Sequence, residues 1–173
     1  MSEPVIKTVM VVDDEEDVRQ YLSMALTDAG FRVVTAVDGF EALQKVKTEA
    51  PDLISLDLVM PKRSGVKFYR DMLTNKKWAK IPILVVTGHA RDELGKADLR
   101  ELTISGPGIY LEKPVKPQNY IAAIKKLLKM DTSDDEQVLA DQVVTQNELK
   151  NIIDEADPET LEKIKKLMKK NKL

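Results

Sequence analysis

Five times along this chain a short apolar run precedes a stretch with helical spacing, and no other feature restricts the fold as tightly. The runs fall at 9–12, 31–35, 53–56, 81–86 and 109–111. The first, VMVV, has no polar face, so it reads as a strand buried on both sides. After it, Val18, Leu22, Ala25, Leu26 and Ala29 recur at helical spacing, and Gly30 stands where that helix should end. Gly39 precedes a second helix carrying Ala42, Leu43 and Val46, which Pro51 closes. Further helices are expected around 66–73, from 92 to about 102, and over 118–130. Alternation of this kind predicts an α/β protein with a five-stranded parallel sheet, doubly wound, with helices on both faces.

Ligands of such sheets bind outside the carboxyl ends of the strands. The residues just past the expected strand ends are Asp13, Asp14, Asp57, Thr87 and Lys113. At the first end, VMVVDDEEDV places four apolar residues directly before five acids. Glu15, Glu16 and Asp17 suit the first turn of a helix, at the positive end of its dipole. Asp13 and Asp14 need another reason. If the strand order brings them beside Asp57, three carboxylates converge, and a hard divalent cation would neutralise them. Magnesium is the simplest choice, and manganese could replace it. Thr87 would add a hydroxyl and Lys113 a positive charge, which together describe an aspartyl-phosphate site. Each residue also has a plainer reading taken alone. Asp13 and Asp14 serve as helix caps, Asp57 as a turn residue and Lys113 as a surface lysine. Only the joint pattern favours chemistry.

Composition removes several other classes. The chain has 173 residues and no cysteine, so disulfides, thiol catalysis and thiolate metal sites are absent. No apolar run approaches the roughly 20 residues that span a bilayer, and the amino terminus lacks the pattern of a secretory signal. A cytoplasmic location is the default expectation. The net charge of -2 gives no global basic surface. Residues 131–173 differ from the rest, with 11 acidic and 7 basic residues and no arginine. We therefore expect one domain over 1–130 and an acidic helical extension over 131–173. The extension would serve as an interaction or dimerisation element, or as a cover for the first domain's own surface. Its helix starts are marked by Ser133 with Glu136, Thr145 with Glu148, and Asp157 with Pro158. Without lysines and arginines to meet phosphates, it is not expected to bind nucleic acid.

The motifs VVDDEEDV at 11–18, TAVDGFEAL at 35–43, LDLVMPKRSG at 56–65, ILVVTGHA at 83–90 and YLEKP at 110–114 carry a resemblance. Over about residues 6–130 the sequence resembles the receiver domain of bacterial two-component response regulators. The resemblance implies that Asp57 is the phosphoacceptor. It implies that Asp13, Asp14, Asp57 and the backbone carbonyl of Val59 hold magnesium, with Asp14 a direct ligand. Thr87 and Lys113 would contact the phosphoryl oxygens, and Tyr110 would be the aromatic switch that follows Thr87 inward. Pro114 would follow a cis peptide bond, and the small Gly88 would leave room for a phosphoryl group. The implied partner is a sensor histidine kinase or phosphotransfer protein, with a homodimer as a further state. The implied role is a signalling switch more than an enzyme, with self-phosphorylation from a phosphodonor and slow autodephosphorylation. The alternative is a pseudo-receiver, a phosphorylation-independent protein-binding module. Two enzyme classes fit less well. A haloacid-dehalogenase-type phosphatase would need a second aspartate where Val59 stands, and a Rossmann enzyme would need Gly-x-Gly-x-x-Gly after the first strand. The segment LTISGPG at 102–108 makes the Thr87–Lys113 interval longer than the family's usual one, which predicts an unusual fourth helix face. His89, the sole histidine, reads as a loop residue near the site mouth with no histidine partner for a metal.

Overall fold

The structure, a computed structural model, describes residues 3–88, 110–155 and 157–170. Five parallel strands form one sheet in the order β2-β1-β3-β4-β5. They are β1 (Thr8–Val12), β2 (Arg32–Ala36), β3 (Leu53–Leu56), β4 (Ile83–Thr87) and β5 (Tyr110–Glu112). The helices are α1 (Glu16–Asp28), α2 (Gly39–Thr48), α3 (Ser64–Thr74), α4 (Pro117–Leu127), α5 (Asp134–Glu155) and α6 (Pro158–Lys170). This is the doubly wound arrangement expected from the alternation. The helix expected at 92–102, the 102–108 segment and His89 lie outside the described residues.

The first strand shows why an unbroken apolar run was needed. Successive side chains of a strand point to opposite faces. Met10 and Val12 enter a core with Ala42 and Val46 of α2 and Phe68 and Met72 of α3. Val9 and Val11 enter a second core with Leu22 and Leu26 of α1 and Ala123 and Ile124 of α4. A polar residue at any of these four positions would be buried against one helical layer.

Boundaries differ from expectation by a residue or two where a turn decides them. Strand β2 begins at Arg32, because Phe31 still bonds back to the end of α1, its N–H donating to the Leu26 carbonyl at 3.0 Å. Ile81 and Pro82 precede β4. Their segment is held by a turn in which the Ile81 N–H donates to the Trp78 carbonyl at 2.9 Å. The extension holds two helices where three capping signals stand. Ser133 and Glu136 form the reciprocal capping box, with Ser133 N–H donating to Glu136 Oε2 at 3.0 Å and Glu136 N–H to Ser133 Oγ at 3.3 Å. Asp157 caps α6, accepting from the Thr160 N–H at 2.8 Å. Thr145 starts no helix, because it lies inside a continuous 22-residue α5 that contains neither glycine nor proline. α5 packs along α4, where Ala140 and Val143 are buried. Among the described residues, no helix is long and apolar enough to cross a membrane.

Candidate functional site

Strand order creates the site. The sheet reverses direction of growth between β1 and β3, the switch point where open α/β sheets bind ligands. These strands are direct neighbours, with Val12 in register with Leu56, and the Asp57 N–H donates to the Val12 carbonyl at 2.9 Å. The acids that follow each strand must therefore meet. One carboxylate oxygen from each of Asp13, Asp14 and Asp57 lies within 4.8 Å of the others. Asp13 and Asp57 are 1% and 4% exposed, and Asp14 is open to solvent.

Two short backbone turns aim the buried carboxylates. Asp13 Oδ1 accepts from the Glu15 N–H at 2.9 Å, and Asp57 Oδ1 accepts from the Val59 N–H at 3.0 Å. Their other oxygens face Lys113, which β5 delivers one residue beyond its end. Lys113 Nζ lies 2.8 Å from Asp13 Oδ2, 3.2 Å from Asp57 Oδ2 and 3.1 Å from Glu15 Oε1. The Lys113–Pro114 peptide bond is cis.

Burial pushes the Asp13 carboxyl up, against the opposing pull of its Lys113 hydrogen bond. Burial also raises Asp57, offset in part by the charge of Lys113 and reinforced by that of Asp13. Burial alone would lower Lys113, but its bond to Asp13 and the charge of Asp57 outweigh that and raise it. The site thus holds buried negative charge that is costly without a cation. Hard oxygen donors at this spacing fit a divalent ion of the magnesium class, with Asp13, Asp14 and Asp57 to hold it.

Other expected residues fall around this centre. Thr87 ends β4 in register with Glu112, but its side chain lies outside the described residues. Tyr110 opens β5, beside Val85, with its ring already buried in the core that α2 and α3 cover. A Cβ built on Gly88 would stand 4.0 Å from that of Lys113, the nearest atom among the described residues.

Three contributors escaped the sequence reading. Glu15 is the residue before α1 rather than part of its first turn, and its side chain reaches Lys113. Arg19, one turn along α1, donates through Nη1 to the Asp13 carbonyl at 2.8 Å and fixes the acidic loop. Gly65 lets α3 approach the Asp57 backbone, since a Cβ there would sit 2.4 Å from the Asp57 carbonyl oxygen. Only Gly65 left a trace, as a glycine at a predicted helix start.

A doubly wound sheet in this order, with acids at the β1/β3 switch point and a lysine beyond β5, defines the receiver class of α/β domain. The chain belongs to the response regulator receiver domain family, whose model matches residues 9–125. It is 40% identical over 124 residues to the alkaline phosphatase synthesis transcriptional regulatory protein PhoP of Bacillus subtilis, covering 71% of this chain and 49% of that protein. It is 35% identical over 129 residues to the response regulator MprA of Mycolicibacterium vanbaalenii, covering 73% of this chain and 52% of that one. The chain therefore spans about half the length of the curated relatives it matches. Among solved structures, the chemotaxis response regulator CheY4 of Vibrio cholerae matches with a TM-score of 0.61 and 28% identity, over 71% of this chain and 99% of that one. The receiver domain of NtrX from Brucella abortus matches with a TM-score of 0.60 and 27% identity, over 71% and 99% of the two chains.

Proposed function

We propose that this receiver domain accepts a phosphoryl group on Asp57 and that the phosphorylated state switches its protein–protein contacts. The observation that carries the reading is the position of Asp57: buried, within ligand distance of Asp13 and Asp14, and 3.2 Å from Lys113. One carboxylate oxygen of Asp57 forms a bond to the donor's phosphorus while the donor's phosphorus–nitrogen or phosphorus–oxygen bond breaks. Lys113 holds a phosphoryl oxygen as the charge develops, and Thr87 receives another. Asp13, Asp14, Asp57 and the Val59 carbonyl would hold magnesium, which when bound supplies positive charge between the carboxylates and the phosphoryl oxygens. Gly88 leaves space at the mouth. Tyr110 responds to Thr87, and the outcome is a population shift between two states.

The donor is a sensor histidine kinase or phosphotransfer protein. A cleft of about 540 Å³ opens beside Lys113, lined by Val18, Tyr21, Leu22, Val86 and Val115. Its apolar floor between α1 and the loop after β5 suits the side of a donor helix that carries a phosphohistidine. Residues 131–173 act as an interaction or dimerisation element with no role in binding nucleic acid.

Intact mass after incubation with magnesium and acetyl phosphate tests this reading. Wild type should gain one phosphoryl group and Asp57→Asn none. Folded wild type that gains nothing would favour a phosphorylation-independent binding module.

A further inference from the structure

Tyr120 is a buried titratable side chain that the proposed reaction does not use. It stands in the first turn of α4, beyond Lys113 and Pro114, and is 0% exposed. Its ring packs in the core with Val11, Leu84 and Val86. Its hydroxyl is less well placed, because among the described residues no hydrogen bond to it is complete. A hydroxyl buried in this way is destabilising, and phenylalanine would fill the same space without that penalty. Burial pushes the phenol well above its ordinary range, so the oxygen keeps a proton that it can donate.

Strand register shows what this hydroxyl lies beneath. Val11 of β1, Ser55 of β3 and Leu84 of β4 stand side by side in the sheet. Val11 and Leu84 point into the core that Tyr120 joins, so Ser55 between them points there too. Ser55 is buried, a polar residue among apolar neighbours. Its side chain and the charge of Asp13 both bear on the Tyr120 phenol. Asp13 and Asp57 follow Val11 and Ser55 by two residues, and their N–H groups continue the ladder to Ala36 and Val12. By the alternation of a strand they fall on the same face. The phenol and the Ser55 hydroxyl therefore form a polar floor one step below the two buried carboxylates.

Lys113 gives that floor a role. Its Nζ lies 2.8 Å from Asp13 Oδ2 and 3.2 Å from Asp57 Oδ2. In the proposed reaction it turns to a phosphoryl oxygen, and Asp13 then keeps the Glu15 N–H but loses its nearest cation. A buried carboxylate in that position needs another donor. We propose that Tyr120 is a positioning residue for phosphoryl acceptance: its hydroxyl, seated over Ser55, turns to Asp13 as Lys113 engages the phosphoryl group and holds that carboxylate in place beside Asp57. The inference rests on the reading of Asp57 as the phosphoacceptor. It gives the incomplete hydrogen bonding of the phenol a reason, since a donor held in reserve has no fixed partner before the reaction begins.

Tyr120→Phe, Ser55→Ala and the double variant, each in the full chain, test the inference. The rate of phosphoryl gain from acetyl phosphate is read by intact mass at saturating magnesium, and magnesium affinity by calorimetry. Tyr120→Phe should slow the gain by about fivefold or more, while the magnesium dissociation constant stays within about twofold of wild type, because the hydroxyl acts only once Lys113 has turned away. Its urea midpoint should equal or exceed that of wild type, since an unsatisfied hydroxyl has been removed. Ser55→Ala should slow the gain in the same direction. The double variant should be no slower than the slower single variant, as two members of one unit require. A Tyr120→Phe rate within about twofold of wild type overturns the inference. A slower rate matched by an equal loss of magnesium affinity, or accompanied by a lower urea midpoint, overturns it as well, because the phenol then supports the resting structure. Wild type that gains no phosphoryl group brings down the reading of Asp57, and this inference with it.

Discussion

Lys113 is the residue on which the metal-free site depends. It neutralises two carboxylates that the strand ends bury, so its removal takes away the cation that both of them face. Lys113→Ala should cost about 3 kcal/mol at neutral pH without divalent cations, measured by urea denaturation. Magnesium should recover part of the loss, because the same acids then meet another cation. The pH dependence follows from the same burial. Asp13 and Asp57 hold protons more tightly in the folded state than at their ordinary value of 3.8. Folding thus takes up protons, and stability contributed by these groups falls as pH rises from 3.8 through their raised values. The urea midpoint of the metal-free protein should show that fall, and magnesium should suppress it. A midpoint that rises over this window in Asp57→Asn less steeply than in wild type would contradict the assigned direction.

Among the elements, α3 and α5 have the most consequential seats. Gly65 stands at the start of α3 against the Asp57 carbonyl, at a distance no Cβ tolerates. Gly65→Ala must push α3 away from the loop that carries Asp57. We expect at least a tenfold slower gain of phosphoryl group from acetyl phosphate, with circular dichroism little changed. Gly88→Ala is the useful contrast, because among the described residues a Cβ there meets nothing closer than 4.0 Å, and folding should be undisturbed. For α5, Val143 is buried in the core that α1 and α4 cover. Val143→Ala removes two buried methyl groups and should cost about 2 kcal/mol by chemical denaturation. Its neighbour Val138 is exposed, and Val138→Ala should leave the stability of the monomer near wild type.

At the scale of the whole molecule, one sheet carries helices on both faces and is extended by α5, whose Ala140 and Val143 are buried. Cation binding should act on this unit as a single ligand site. At a magnesium concentration 100 times the dissociation constant, linkage adds about 2.7 kcal/mol to the stability of the folded state. Thermal unfolding across a magnesium titration should show that gain in wild type and a smaller one in Asp57→Asn.

The sequence by itself determined the layered fold, because an unbroken apolar run such as VMVV is stable only between two packed faces. It also determined which side chains stand at the strand ends, since Asp13 and Asp57 follow an apolar run directly and Asp14 and Lys113 come one residue later. The cap chemistry of Ser133 with Glu136 and of Asp157 was legible because those bonds join residues three apart. Tertiary structure alone decided what joins residues distant in the chain. Pairing β1 with β3 turned three separate acids into one cluster, and the position of β5 brought Lys113 across to Glu15, 98 residues away. It also decided that Thr145 lies inside a helix rather than at its start, because packing along α4 stabilises α5 through a local signal to begin anew. Local pattern records the preferences of a segment. The meeting of segments depends on strand order and burial, which no short stretch of sequence contains.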